Sequence, residues 1–424
     1  MRVGLPSSEF GRGVTVLMGG TLAAQALPLL ASPALTRLYD PEQFGLYGLF
    51  VAVVAITVGA VTGRYELTVV LPRRAVEART LLWVAIGIAF IVCSALQAVA
   101  SIYADDLANW AGLPAFAPWV PWVPAAVFPL AVYQTLGYWL IREKAFVRAG
   151  VNKVSQSLAN VIVTLALGVA AVQGGLILGY LAGWLGGIVV ALRQVGARAL
   201  CGPRLRARGI ARLAARYRSF PLYGAMPAVL DTGALMVPQI IVSTAYSAEA
   251  GGQFALARQI LGAPVMLVSA AIGQVLLRRL AVRRSQGQEV RAHCRALLVR
   301  ITALAVLFAV TTMIGSPLLF TFLFGGPWQQ AGEFAQVLAI AFAARLAVYP
   351  FTSVFPAMER MRIAGFWQVG YFLSIASLGF LTSMDIHDLL WVYAAMELAL
   401  YLAYLRLAWG VIEEYERRRV SAST

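Results

Sequence analysis

The sequence predicts an all-α polytopic membrane protein, with about twelve transmembrane helices in two six-helix lobes related by a parallel repeat. Three observations carry this expectation. The first is composition. The chain has 424 residues, 60% hydrophobic and only 12% charged, with a mean hydropathy of +0.76. A soluble domain carries about 25% charged residues. The apolar residues here fall into runs of about 20 or more, the length needed to cross ~30 Å of hydrocarbon. The second observation is the alternation of charge between the runs. The third is self-similarity. Shifted by 210 residues, about half its length, the chain lays Ala24 on Ala234, Pro28 on Pro238, Gln43 on Gln253, Phe44 on Phe254 and Gly63 on Gly273.

The spans read in order as 13–36, 44–71, 80–102, 118–141, 151–171, 175–193, 219–245, 253–277, 297–319, 333–356, 363–382 and 389–410. Arg2 and Arg12 precede the first, but 13–36 is too long for the apolar core of a signal peptide, so it is a span. The second runs from Phe44 to Pro72-Arg73-Arg74. As one helix it would measure ~42 Å, with Arg64 and Glu66 inside the membrane and on different faces. The stretch at the outer end of span four, GLPAFAPWVPWVP (Gly112–Pro124), is rich in Trp and Pro and reads as an interfacial aromatic belt. Span six contains LGYLAGWLGG (Leu178–Gly187), whose small residues permit close helix packing.

Loop charge sets the orientation. One set of loops carries Arg73, Arg74, Arg79, Arg142, Lys144, Arg148 and Lys153, then eight Arg between Arg193 and Arg218. It continues with Arg278, Arg279, Arg283, Arg284, Arg291, Arg295, Arg360, Arg362 and Arg417–Arg419. The opposite set carries Asp40, Glu42, Asp105, Asp106, Glu249, Glu333, Asp385 and Asp388, with Arg37 almost its only basic residue. By the positive-inside rule both termini are cytoplasmic and the span number is even. Two halves of six spans enter the membrane the same way, which gives a parallel repeat. The expected organisation is an N-terminal lobe at 1–194, a basic cytoplasmic linker at 195–218, a C-terminal lobe at 219–410 and a cytoplasmic tail at 411–424.

Several function classes drop out. The net charge of +15 follows from the basic loops and does not indicate a nucleic-acid partner, for no basic surface is interleaved with stacking aromatics. Cys93, Cys201 and Cys294 are scattered and the histidines number only His293 and His387, so neither a disulfide framework nor a metal site is expected. The longest loop cannot hold a soluble catalytic domain. No Walker A, GxSxG or HExxH motif occurs, so the chain is not expected to be an enzyme.

Charges inside spans are costly and face a cavity or a partner. Asp231 lies in span seven, Arg258 in span eight, Arg345 in span ten and Glu397 in span twelve. Arg258, Arg345, Arg64 and Arg37 are the substrate-binding candidates, because a planar guanidinium suits phosphate. Asp231 and Glu397 are candidates for carrying a proton or sodium ion. The alternative for each is a structural ion pair between helices. Pro28 and Pro238 fall mid-span at matching positions of the repeat, where each removes a backbone hydrogen bond, and are candidate hinges.

Other stretches point to a family. GGTLAAQALPLLASPALTRLYDPEQFGLYGLF, GRYELTVVLP, YWLIREKAFVRAGVNKVSQSLANV, FPLYGAMPAVLDTGALMVPQ, GGQFALARQILGAPVMLVSAAIGQV and FLFGGPWQQAGEFAQVLA occur in this order. Over nearly the whole chain they resemble bacterial oligosaccharide flippases of the O-antigen flippase type. These are the polysaccharide biosynthesis proteins of the multidrug/oligosaccharidyl-lipid/polysaccharide exporter superfamily. The resemblance implies translocation of undecaprenyl-pyrophosphate-linked oligosaccharide across the bacterial cytoplasmic membrane, for O-antigen, capsule or exopolysaccharide assembly. It implies alternating access through a cationic lumen, which fits Arg258 and Arg345. It also implies lipid-linked glycan, membrane lipids and polysaccharide polymerase or assembly proteins as partners, with no cofactor beyond proton or sodium coupling. A drug/cation antiporter of the same superfamily is the alternative, expected to be rich in acidic lumen residues. A membrane polysaccharide polymerase or ligase is a further one, but would carry a large periplasmic loop.

Overall fold

In a computed structural model of the chain, residues 7–196, 202 and 207–423 are described. They form fifteen α-helices and no strand. These are α1 (Ser7–Leu38), α2 (Pro41–Val61), α3 (Ala75–Ile102), α4 (Ala104–Trp110), α5 (Trp122–Arg142), α6 (Phe146–Val169), α7 (Gly175–Val195) and α8 (Ala207–Arg216). They continue with α9 (Ser219–Ile241), α10 (Ala248–Ser285), α11 (Arg291–Phe324), α12 (Gln329–Val348), α13 (Val354–Ala357), α14 (Met361–Ala376) and α15 (Ile386–Ser423). Among the described residues, ten helical segments are long and apolar enough to cross a membrane. The two expected spans outside that set are α5 and α6, of 21 and 24 residues. The chain is a multi-pass membrane protein. The helix order repeats: α1–α3 and α5–α7 correspond to α9–α12, α14 and α15, and the matched Phe44 and Phe254 are both buried.

By packing, the chain forms two units, Met1–Met236 with Ser247–Glu249, and Val237–Tyr246 with Ala250–Thr424. The boundary falls within α9. The expected linker at 195–218 lies partly outside the described residues, and its described end is α8.

In the first unit α6 packs between α1 and α7, while α5 packs on α2, α3 and α7. Small residues let these helices approach. A Cβ on Gly20 would meet the Gly150 Cα at 2.7 Å, so α1 and α6 touch backbone to backbone there. α6 is polar for a span, but its polar groups bond inward. Lys153 Nζ donates to Thr21 Oγ1 (2.9 Å), Ser157 Oγ donates to the Ala24 carbonyl (2.6 Å), and Tyr39 OH donates to the Thr164 carbonyl (2.7 Å). Gly179, Gly183 and Gly187 of α7 lie against Thr164, Asn160 and Gln156 of α6 or Tyr133 of α5. The glycine-rich stretch therefore serves close packing, as expected. In the Trp- and Pro-rich tract, Trp122 is exposed while the Trp119 ring closely approaches Gly174.

In the second unit α12 packs between α11 and α15. The segment Gly326–Ala357 is the most enclosed of the candidate spans. Its small residues explain this. A Cβ on Gly332 would meet the Pro317 Cα at 2.8 Å, and Ser316 Oγ donates to the Gly332 carbonyl (2.8 Å). Gln253 fixes the start of α12: its Nε2 donates to the Pro327 carbonyl (2.7 Å) and its Oε1 accepts from the Ala331 amide (3.0 Å).

Span two departs from expectation. α2 begins on Asp40, whose carboxylate accepts from the Gln43 amide (2.8 Å), but it stops at Val61. Gly63 and Arg64 then adopt left-handed conformations, at φ 57° and 59°, before a 3-10 turn over Tyr65–Val70. Glycine takes this conformation freely, and it ends α-helices. The expected single helix over 44–71 is thus replaced by a helix, a reversal and a turn. The expectation that Arg64 and Glu66 face apart is corrected with it: Arg64 Nη1 lies 3.6 Å from Glu66 Oε1. The reversal aims Tyr65 and Val69 into a core with Leu81, Leu82, Leu136 and Trp139.

Candidate functional site

Three helices of the second unit converge on one ion pair. Arg345 sits in the last turn of α12, where the helix dipole favours a cation. On α15, Tyr393, Glu397 and Tyr401 recur every four residues and so share one face. α14 contributes Trp367 and Tyr371 by the same spacing.

The geometry is a fork. Arg345 Nε donates to Glu397 Oε2 (3.1 Å) and Nη2 donates to Oε1 (2.8 Å). Tyr371 OH donates to the same Oε1 (2.7 Å). Arg345 Nη2 also lies 3.3 Å from the hydroxyls of Tyr371 and Tyr393. The guanidinium carbon is 5.3 Å from the Phe342 ring centroid and 6.0 Å from that of Tyr401. Trp367 stacks on Tyr371 at 6.2 Å. The Glu397 side chain is fully buried, whereas that of Arg345 keeps 12% of its exposure. Two parallel hydrogen bonds of this kind give both strength and directionality. Leaving either charge buried alone would be costly.

Arg258, on α10, lies within electrostatic reach of Arg345, Glu397, Tyr371 and Tyr393. Two guanidiniums and one carboxylate thus share a setting lined by aromatic rings. The sequence placed Arg345 and Glu397 in separate roles; the structure joins them, and Glu397 is the counter-ion of Arg345.

The other candidates stand apart from this centre. Asp231 is exposed on α9, with neither an ion pair nor a hydrogen bond among the described residues. Arg37 is exposed in the last turn of α1. Arg64 belongs to the first unit, where its stem packs against Gly224 of α9 and its charge meets Glu66. Glu66 is buried and also accepts from Thr62 Oγ1. The two prolines differ. Pro28 lies inside the unbroken α1, whereas Pro238 comes one turn before α9 gives way to a π-helical turn at Val242–Tyr246. The tyrosines of the centre went unnoticed in the sequence, although the four-residue spacing Tyr393-Glu397-Tyr401 marks them.

A family model described as polysaccharide biosynthesis protein matches residues 34–333. The chain belongs to the polysaccharide biosynthesis protein family. No curated protein sequence matches it. Solved structures show where the family's fold lies. A multidrug resistance MATE family transporter of the MOP superfamily, inward-facing, has a TM-score of 0.74 at 14% identity, over 93% of this chain and 96% of its own. The lipid II flippase MurJ, in an inward closed conformation, has a TM-score of 0.72 at 11% identity, over 98% of this chain and 91% of its own. A MOP superfamily transporter from Pyrococcus furiosus, described as having a binding pocket of reverse polarity, has a TM-score of 0.59 at 11% identity, over 97% and 96%. This polysaccharide biosynthesis protein therefore has the two-lobed MOP transporter fold. The solved structures it is similar to are transporters and flippases.

Proposed function

We propose that the protein is a flippase for polyprenyl-pyrophosphate-linked oligosaccharide. It moves the unit across the bacterial cytoplasmic membrane for O-antigen, capsule or exopolysaccharide assembly, with both termini cytoplasmic. The observation that carries this reading is the Arg345–Glu397 fork buried among tyrosines, with a second guanidinium, Arg258, within electrostatic reach. A pyrophosphate is the part of such a substrate that hydrocarbon excludes most strongly. A cationic centre inside the protein lowers that barrier, and tyrosine hydroxyls and ring faces suit a sugar's mixed polar and apolar surface. Family membership supports a lipid-linked glycan over other anions. Alternating access would carry the headgroup while the polyprenyl tail stays in lipid. Because Arg345 engages both oxygens of Glu397, Asp231 is the carboxylate free to couple transport to a proton or sodium ion.

The test is Arg258→Gln, which spares the Arg345–Glu397 fork. Cells carrying it should accumulate lipid-linked oligosaccharide and lose surface polysaccharide at unchanged protein level. Normal surface polysaccharide would remove the centre from the transport path. The exposed intramembrane Asp231 favours a second reading, a drug or cation antiporter. That reading requires efflux of a cationic dye by the wild type and its loss in Asp231→Asn, whereas a flippase shows no such efflux.

A further inference from the structure

The first unit carries a second basic feature that the transport centre does not use. α8, Ala207–Arg216, is a short amphipathic helix. Its Leu213 is buried in the core that also holds Tyr65, Val69 and Leu81, and Tyr65 OH donates to the Ala214 carbonyl at 3.0 Å. That hydrogen bond and the buried leucine pin α8 against α3 and set which face it shows. Gly209, Arg212, Leu213 and Arg216 follow the spacing of one helical face, and all four line a groove of about 420 Å³. The far wall of the groove is Arg74, Val76 and Glu77, at the start of α3.

Three arginines against one glutamate leave the groove with a charge excess of two. Among the described residues none of the three guanidiniums is in an ion pair, in contrast to Arg284, Arg291, Arg345, Arg360, Arg418 and Arg419 of the second unit. All three are exposed, and the Arg216 guanidinium lies over the Tyr217 ring at 5.7 Å; an anion in the groove would screen their mutual repulsion. The groove lies where a spanning helix begins, which is the depth of lipid headgroups. Val70 and Leu71, just before Arg74, are exposed at 36% and 50% and supply apolar surface beside the charge. Planar guanidinium forks match phosphate oxygens, and basic amphipathic helices at a membrane surface draw anionic lipid.

We propose that the groove between α8 and the start of α3 binds the phosphate of an anionic glycerophospholipid, held by Arg74, Arg212 and Arg216. The lipid ties α8 to the membrane surface. The site is separate from the transport centre, so it stands or falls independently of the flippase reading.

Native mass spectrometry of the full chain, released from mixed phosphatidylglycerol and phosphatidylethanolamine micelles, tests this. The wild type should retain phosphatidylglycerol in preference to phosphatidylethanolamine. Arg74→Gln alone should weaken that retention about fivefold, and Arg74→Gln with Arg212→Gln and Arg216→Gln about a hundredfold. Arg291→Gln with Arg295→Gln, at the start of α11 in the second unit, should leave it unchanged. Equal retention by the wild type and a triple variant of unchanged helicity and melting temperature would overturn the proposal. Displacement of the lipid by millimolar inorganic phosphate would also overturn it, because the groove would then hold a small anion and not a lipid.

Discussion

Arg345 and Glu397 show what a buried pair demands of its neighbours. The carboxylate is fully enclosed and takes hydrogen bonds from Arg345 and Tyr371, so it has no water to fall back on. Arg345→Gln should therefore destabilise the protein by about 3–5 kcal/mol, because it strands a buried charge. Arg345→Met combined with Glu397→Gln should recover most of that loss. Melting temperatures of the purified single and double variants in detergent check this, and additive losses would rule out the coupling. For the same reason an alanine substitution at Arg345 would mix a loss of stability with any effect on transport. Arg258, Arg345 and Glu397 were legible as intramembrane charges, whereas the tyrosines around them were not singled out. The partnership of the charges was not legible, because Arg345 and Glu397 lie 52 residues apart on different helices, and periodicity carries no information across helices.

At the level of elements, the first unit is built on close approach, not on bulk. In lipid the hydrophobic effect does not hold helices together, so association relies on tight packing of small residues. Two adjacent glycines of α1 separate this effect from helix propensity. A Cβ on Gly19 meets nothing within 4 Å, while one on Gly20 meets the Gly150 backbone at 2.7 Å. Gly19→Ala should be neutral, or stabilising by up to ~1 kcal/mol through propensity. Gly20→Ala should cost about 1–3 kcal/mol by overpacking the α1–α6 seam. Thermal unfolding of the two variants decides between packing and propensity; equal effects would show that the seam is not tight. Elements were also where the sequence misled. The apolar run 44–71 contains no proline before Pro72, and hydropathy alone reads it as one helix. Gly63 was the visible signal for the break, since it can adopt a positive φ at no steric cost. What hydropathy could not show is that Arg64 would follow it into the left-handed region and fold Glu66 back toward itself.

On the scale of the whole molecule, span positions and repeat order were readable because membrane thickness and charge bias constrain them strongly. Helix ends were not. α10, α11 and α15 run to 38, 34 and 38 residues, far past the ~20 needed for crossing. Their ends carry a cluster of charged contacts. Arg360 pairs with Glu414, Arg284 with Glu359 at 3.1 Å, and Arg419 with Glu416 at 2.9 Å. Glu416 Oε1 also accepts from the Val290 and Arg291 amides at 2.7 and 3.1 Å, capping the start of α11. Burial alone would raise the Glu416 pKa, but those amides and Arg419 outweigh it and hold the carboxyl below its ordinary value. The cap is fully present above the ordinary glutamate value of ~4.3 and is lost as pH falls through the lower folded value. Protection from hydrogen exchange at the first turn of α11, taken relative to the intrinsic rate at each pH, should therefore be lost in the wild type only as pH falls below the ordinary glutamate value. Glu416→Gln should lower that protection already at neutral pH. Exchange independent of both changes would mean that the cap does not hold the turn. The expected orientation is checked separately: a cysteine at Ser285 should react only with reagent on the cytoplasmic side, and one at Asp106 only from outside.

α15 also has a practical meaning. Because the helix continues from Ile386 to Ser423 without a break, its end is a rigid lever. A fluorescent protein joined at Val420 through a helical junction would inherit the azimuth of the membrane-embedded segment. Its emission dipole would then hold a defined angle to the bilayer normal. Each residue inserted at the junction would swing it by about 100°, so a short insertion series read by polarised microscopy would turn the tail into a compass for movements of the helix that carries Glu397.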